Sequence, residues 1–356
     1  MASSWLPLEL WLKQLAEEAS DQFPVRAANY WNRYSALVDH LRTSIYPHIN
    51  AGLACLSKSP GIYTDHGGDH FDEVVRYAGL IISDDRARAV IAPYALYILL
   101  SAIRLHDAGN IDGRKDHERR AQAILQDAGS AICPDTFEAK LIGDIAQAHG
   151  GVTDDNNKDT IGSLPSDGGF GPINCNPRMI AALVRFSDEI CEHTARASAH
   201  HLASGTLPPE NMLFHLYAHG IKQAIPDRST KSFRIKLSLD SKYLLNRYPM
   251  PGHTVERPLQ KYLLDDAMDR IQKLDTERRY CNRFLHPQLQ TDRIEVEVNI
   301  AKVQTINGRD LLKQWKQSNL EILDVGYPED DTTWRSQAAN LNGEAIAREL
   351  SETAQS

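Results

Sequence analysis

The chain has 356 residues, of which 42% are hydrophobic and 24% charged, with a formal net charge of −8. That length can bury a substantial core in one large domain, or one plus a smaller one. The acidic balance argues against a general nucleic-acid-binding surface, while leaving room for a local basic pocket.

No apolar run approaches the ~20 residues of a membrane span. The opening MASSWLPLELWLKQLAEEA carries acids and lacks a basic segment before an apolar core, so no signal peptide is expected. Cys55, Cys133, Cys175, Cys191 and Cys281 form no Cys-x2-Cys pair. An odd, scattered set suits a reducing cytoplasm and argues against structural zinc.

Residues 1–58 form an N-terminal segment expected to hold two or three amphipathic helices, with Trp5, Leu8, Trp11 and Leu12 early and Tyr30, Trp31 and Leu37 later. Residues 59–204 read as a helical domain. His70, Val74, Ala78 and Ile81 fall on one stripe, as do Leu99, Ile103 and His106. His117 continues with Ala121, Ile124 and Ala128, and Phe137, Leu141, Ile145 and His149 recur every fourth residue. Asp188 follows Ala181 and Val184, with Cys191 next. Pro93 and Pro177 suit first helical positions, Asp135 with Glu138 resembles a capping box, and Gly109 and Gly150 stand where C-caps are expected.

These stripes share an anomaly. Each apolar face ends in, or includes, a residue that ligates metals: His70, the adjacent pair His106-Asp107, His117, His149 and Asp188. Burying one unpaired imidazole or carboxylate is costly. Burying six becomes reasonable if they converge on a metal ion that takes their lone pairs. The breaker-rich stretch from Gly151 to Pro177 joins the helix of His149 to that of Asp188, so a loop is expected to start and end beside that cluster, read either as a lid or substrate loop or as an uninvolved surface loop.

The order His, His-Asp, His, His, Asp resembles the HD superfamily of metal-dependent phosphohydrolases, over roughly residues 60–200. The resemblance implies that His70, His106, Asp107 and Asp188 hold a first metal. His117 and His149 complete a second site, as in members that bind two. The TDHGGDH opening and the tail are also similar to HD proteins associated with bacterial conflict systems, which implies a role in antiviral defense. Asn110 stands where deoxynucleoside triphosphate triphosphohydrolases carry a further histidine, and HGGVTDD lacks the Gly-Tyr-Pro of cyclic-dinucleotide phosphodiesterases.

After SGTLPPEN the pattern changes, and residues 205–328 read as a small α+β module. SFRIKLSLD and RIEVEVNIAKV alternate as strands do. LFHLYAHGI is open to reading as a further strand, a helix is expected from about Arg257 to Phe284, a short helix near Asp310–Gln317 and a strand at Glu321–Val325. Residues 329–356 read as a polar tail. The expected fold is therefore mainly α: an HD-type helical bundle with a small C-terminal α+β module, which could shape the pocket or mediate homo-oligomerisation.

Imidazoles and carboxylates without thiolates suit one or two Mn²⁺, Mg²⁺ or Fe²⁺ ions. Bound metal would neutralise phosphoryl charge and activate water, with Asp107 placed to bridge two ions. The expected activity is hydrolysis of a phosphoester or phosphoanhydride bond in a nucleotide. Catalytic roles fall to His66, Asp107 and His117, with His66 the candidate acid for the leaving group. Arg114 and Lys115 are the candidate contacts to substrate phosphate, whereas Arg119 and Arg120 read as a solvated face. A binding-only nucleotide sensor and a metal-dependent single-strand nuclease are the rival readings.

Overall fold

The computed structural model describes residues 5–56, 67–170, 173–250, 259–306, 309–327 and 333–352. They form two compact units. The first holds the described residues up to Cys191 together with Cys281–Gln290; the second holds Glu192–Tyr280 and the described residues from Thr291 onward.

The first unit runs α1 (Pro7–Glu18), α2 (Tyr30–Ser44), α3 (Tyr46–Leu56), α4 (Gly68–Ile81), α5 (Asp85–Arg88), α6 (Pro93–Leu105), α7 (Ala121–Asp127) and α8 (Thr136–Gln147). A short antiparallel hairpin follows, β1 (Gly168–Phe170) with β2 (Ile173–Cys175), and then α9 (Pro177–Glu189). At the centre is α6, whose residues are buried from Pro93 to Leu105. A helix that is apolar all round belongs in a core, and α6 packs on α1, α2, α4, α7, α8 and α9.

One charge interrupts that apolar surface. Arg104 is fully buried and donates Nη2 to Glu9 Oε1 at 2.6 Å and Nε to the Tyr34 hydroxyl at 3.1 Å, with Nη1 on Asp72. Tyr34 also donates to Glu9, at 2.6 Å. These bonds tie α1, α2 and α4 to the end of α6, where a buried guanidinium requires partners.

The expected prolines open α6 and α9, and Asn176 caps α9 by accepting from Met179 N at 3.0 Å. Asp135 caps α8 by accepting from Phe137 N and Glu138 N. Three local expectations change. Phe137 is 75% exposed, and α8 instead buries Glu138, Ala139, Ile142, Ile145 and Ala146. Glu138 does not close a capping box; it turns inward and accepts from Tyr94 and Tyr97 at 3.1 and 3.3 Å. The left-handed residue after α8 is Gly151 (φ 67°) rather than Gly150, and Gly109 lies inside a 3₁₀ turn, Ala108–Asp112, that packs closely on the His117 carbonyl.

The stretch after Gly151 is anchored. Thr160, Ile161 and Leu164 are buried, Thr160 Oγ1 donates to Ala148 O at 2.8 Å, and Arg185 donates to Thr160 Oγ1 at 3.0 Å.

The second unit contains α10 (Ala199–Ser204), α11 (Met212–Gly220), β3 (Ile221–Asp227), β4 (Ser232–Asp240), α12 (Ser241–Leu244), β5 (Arg247–Pro249) and β6 (Gln260–Tyr262). Then come α13 (Leu263–Asn282), whose last two residues belong to the first unit, β7 (Arg293–Ile306), β8 (Arg309–Leu323) and α14 (Gly343–Glu352). Four strands form a mixed sheet in the order β3-β4-β7-β8, with β4 parallel to β7 and the other pairs antiparallel. Its buried face carries Phe233, Ile235 and Leu237 beside Ile294, Val296 and Val298. The opposite face carries the cross-strand pairs Arg234–Glu295 and Lys236–Glu297, each at 2.8 Å.

SFRIKLSLD and RIEVEVNIAKV are strands, as their alternation predicts. LFHLYAHGI lies in α11 as far as Gly220, with only its last residue, Ile221, in a strand, and Asp310–Gln317 lies in β8 and not in a helix. The segment expected as a polar tail includes α14, which buries Ile346 and Leu350. The chain is thus mainly α with a small α+β region towards its C-terminus.

Candidate metal centre

Five stretches of the first unit bring six ligand-type side chains together. His70 comes from the first turn of α4, His106 and Asp107 from the end of α6, and His117 from the 3₁₀ turn before α7. His149 follows α8, and Asp188 lies in the last turn of α9. They fall into two groups that could hold a metal ion: His70, His106 and Asp188, and Asp107, His117 and His149, with the ligand atoms of each within 4.8 Å of one another.

Asp107 faces both groups. Its Oδ2 lies 3.9 Å from His70 Nε2 and 3.9 Å from His106 Nε2. Its Oδ1 lies 2.8 Å from His117 Nε2 and 3.5 Å from His149 Nε2. Asp188 Oδ1 lies 3.3 Å from His70 Nε2 and 3.6 Å from His106 Nε2.

The outer ring nitrogens fix the tautomers. Nδ1 of His106, His117 and His149 meets the backbone carbonyl three residues earlier, of Ile103, Arg114 and Ala146, at 2.7, 3.0 and 2.6 Å. A carbonyl only accepts, so each Nδ1 carries the proton and donates. Each neutral ring then turns its Nε2 lone pair inward, the arrangement a ligated histidine requires. His70 Nδ1 sits 3.9 Å from Cys191 Sγ. Phe71 lies edge-on to the His106 ring, 5.3 Å between centroids, and stacks on Tyr46 at 4.1 Å.

The buried Nε2 atoms of His106 and His117 form no aligned hydrogen bond among the described residues, although carboxylate oxygens lie close to both. Nitrogen and oxygen donors that are near but not aligned on each other, with lone pairs directed to shared points, fit divalent cations. Without an ion the cluster holds protons instead. Burial opposes charge on His117, but Asp107 and Glu118 outweigh it and push its pKa up to about 9. Burial likewise opposes charge on His106, yet Asp188 and Asp107 raise its pKa. Enclosure disfavours the Asp188 carboxylate, but His106 and His70 hold its pKa well below the ordinary value.

Arg114 stands at the rim, with a side chain 48% exposed and Nη1 3.7 Å from Asp107 Oδ2. The same nitrogen donates to Asn110 Oδ1 at 3.4 Å. Lys115 is 75% exposed and pairs with Asp116 at 3.6 Å, so it is not gathered into the cluster. Arg119 and Arg120 pair with Asp154 and Asp112, each at 2.6 Å, on the exposed surface. His66, the candidate acid, lies outside the described residues, and Asp69 is exposed at the start of α4.

Glu118 is the residue that sequence reasoning missed. It is buried, and its Oε2 lies 3.1 Å from His117 Nδ1. The His117 imidazole drives its pKa down to about 2, against the effect of burial. Its place beside a candidate ligand histidine is visible in the sequence, but the run Asp-His-Glu-Arg-Arg reads as a solvated charged turn.

Inward imidazoles and carboxylates at the ends of core helices place the first unit among HD-type domains. A family model described as HD-CE matches residues 61–273, more than half of the chain, and the chain belongs to that family. No curated protein and no solved structure matches it. No described helix is long and apolar enough to cross a membrane.

Proposed function

We propose that this protein is a metal-dependent phosphohydrolase that cleaves a phosphoester or phosphoanhydride bond of a nucleotide. The observation that carries the reading is Asp107 set between two ligand groups, with the ring nitrogens around it presented as lone pairs. In this reading His70, His106, Asp107 and Asp188 hold one divalent ion, and Asp107, His117 and His149 hold a second. Bound ions would neutralise charge on phosphoryl oxygens and make water nucleophilic at neutral pH. The oxygen and nitrogen donor set favours Mn²⁺, Mg²⁺ or Fe²⁺.

The protein's own groups supply the rest. The Ile103, Arg114 and Ala146 carbonyls hold the protons on Nδ1, so none of these rings rotates away from its ligand. Arg114, reaching Asp107 from the rim, presents guanidinium donors to a substrate phosphate in a geometry that suits its oxygens. Lys115, on the exposed side of the same turn, adds long-range attraction for an anionic substrate. His66 is the proposed acid for the leaving group, on its position just before α4 in the sequence.

The test is dialysis against chelator, followed by add-back of each ion with a panel of nucleotides and product chromatography. Turnover should vanish on chelation and return with metal, and His106→Ala should lower it by at least about a hundredfold. Turnover that survives both treatments ends the proposal.

A further inference from the structure

Two independent contacts converge on Glu118. Its Oε2 reaches His117 Nδ1 at 3.1 Å, alongside the Arg114 carbonyl at 3.0 Å. The N–H is bonded to the carbonyl, and the carboxylate charge beside it favours the proton on Nδ1 and makes the opposite nitrogen a stronger donor. On its other edge, Glu118 packs against Gly151, which follows the ligand His149 by two residues. Gly151 adopts φ 67°, and a Cβ there would collide with Glu118 Oε1.

The next residues of that segment are fixed to the same turn from outside. Arg119 donates to Asp154 Oδ1 at 2.6 Å and to the Val152 carbonyl at 3.3 Å. Glu118 therefore sits between the stretch that carries His117 and the stretch that carries His149, the two imidazoles that share Asp107 Oδ1.

We propose that Glu118 is a positioning residue for the second ion: it orients His117 and, through its fit against Gly151, sets the spacing between His117 and His149. The inference rests on the two-ion reading above and assigns to the second site a dependence that the first lacks. His70, His106 and Asp188 form the other group of ligand atoms, so their ion should be indifferent to Glu118. Gly151→Ala should imitate loss of the carboxylate, because the atoms nearest the new methyl are Oε1, Cδ and Cγ of Glu118 and the positive φ adds strain at the same place.

The experiment counts ions on the full chain by Mn²⁺ titration calorimetry and by metal analysis after gel filtration. It compares the parent with Glu118→Gln, Glu118→Ala and Gly151→Ala, and far-ultraviolet circular dichroism checks each fold. The parent should take two ions. Glu118→Gln, which keeps the volume and one acceptor oxygen, should weaken one of them by about 10–100-fold. Glu118→Ala and Gly151→Ala should retain only the other. If Glu118→Ala does not fold, Glu118→Gln decides alone.

Two ions bound with unchanged affinity by the folded variants overturn the role of Glu118 and leave the metal reading intact. Equal weakening of both ions also overturns it, because that marks a general structural role. A parent that takes up one ion overturns the second-site inference, and one that takes up none overturns the metal reading itself.

Discussion

Replacing Asp107 by asparagine would leave the volume of the side chain nearly unchanged, yet remove the charge that faces all four imidazoles and substitute an amide N–H for one acceptor. Because Oδ2 faces His70 and His106 while Oδ1 faces His117 and His149, both ions should suffer. Asp107→Asn is expected to abolish stoichiometric uptake of both, whereas His117→Ala should remove one. Metal analysis of the two purified variants distinguishes them, and equal stoichiometry in both would refute the bridging position of Asp107. Protons compete for the same atoms. With His117 raised to about 9 in the metal-free protein, the ring must lose a proton before Nε2 can ligate. Affinity at that site should therefore rise about tenfold per pH unit below about 9 and level off above it. Mn²⁺ titrations between about pH 6.5 and 9.5 check the slope, and a flat profile contradicts the assignment of His117 as a ligand.

Among the elements, α6 ends in His106 and Asp107, and one buried charge ties that end to α1, α2 and α4. Glu9, from α1, is buried against Arg104, two residues before His106. Glu9→Ala leaves a guanidinium with Asp72 and Tyr34 but without its fully buried counter-ion, and should destabilise the fold by about 3 kcal/mol in urea denaturation. A loss under about 1 kcal/mol would mean that Asp72 and Tyr34 suffice.

The same helix explains what was legible in the sequence. Its apolar run, the proline at its start and the His-Asp pair at its end mark the core position and two of the candidate ligands in the sequence alone. The face of α8 was misread because Phe137 looks like a core residue and Glu138 does not. In the structure Tyr94 and Tyr97 satisfy the buried acid, and the phenylalanine is left outside. Strength of local propensity misled elsewhere. Asp310–Gln317 has helix-forming composition, but Ile306 pairs with Arg309 across the two residues Asn307 and Gly308, a hairpin signal that outweighs it. α11 is apolar on too many sides for periodicity to separate helix from strand over so short a run. Glu118 was hidden for the opposite reason: its role depends on the approach of Gly151, distant in sequence and close only after folding.

At the scale of the whole chain, all six candidate ligand residues belong to the first unit, and they come from stretches far apart in sequence, from His70 to Asp188. An ion that binds only the assembled cluster stabilises the folded state by mass action, by about 2.7 kcal/mol at a hundredfold excess over its Kd. The gain is local in origin because the bonds it adds join α4, the end of α6, the turn at His117, the end of α8 and α9. Native-state hydrogen exchange should therefore slow most at amides in these stretches when Mn²⁺ is added to the chelated protein, with the amides of β4 and β7 changing least. Uniform slowing across β4, β7 and α9 alike would show that metal and fold are coupled through both units rather than through the six ligands. No change at α4 and α9 would mean that the ligand stretches are already as rigid without the ion, and that their convergence is a property of packing alone.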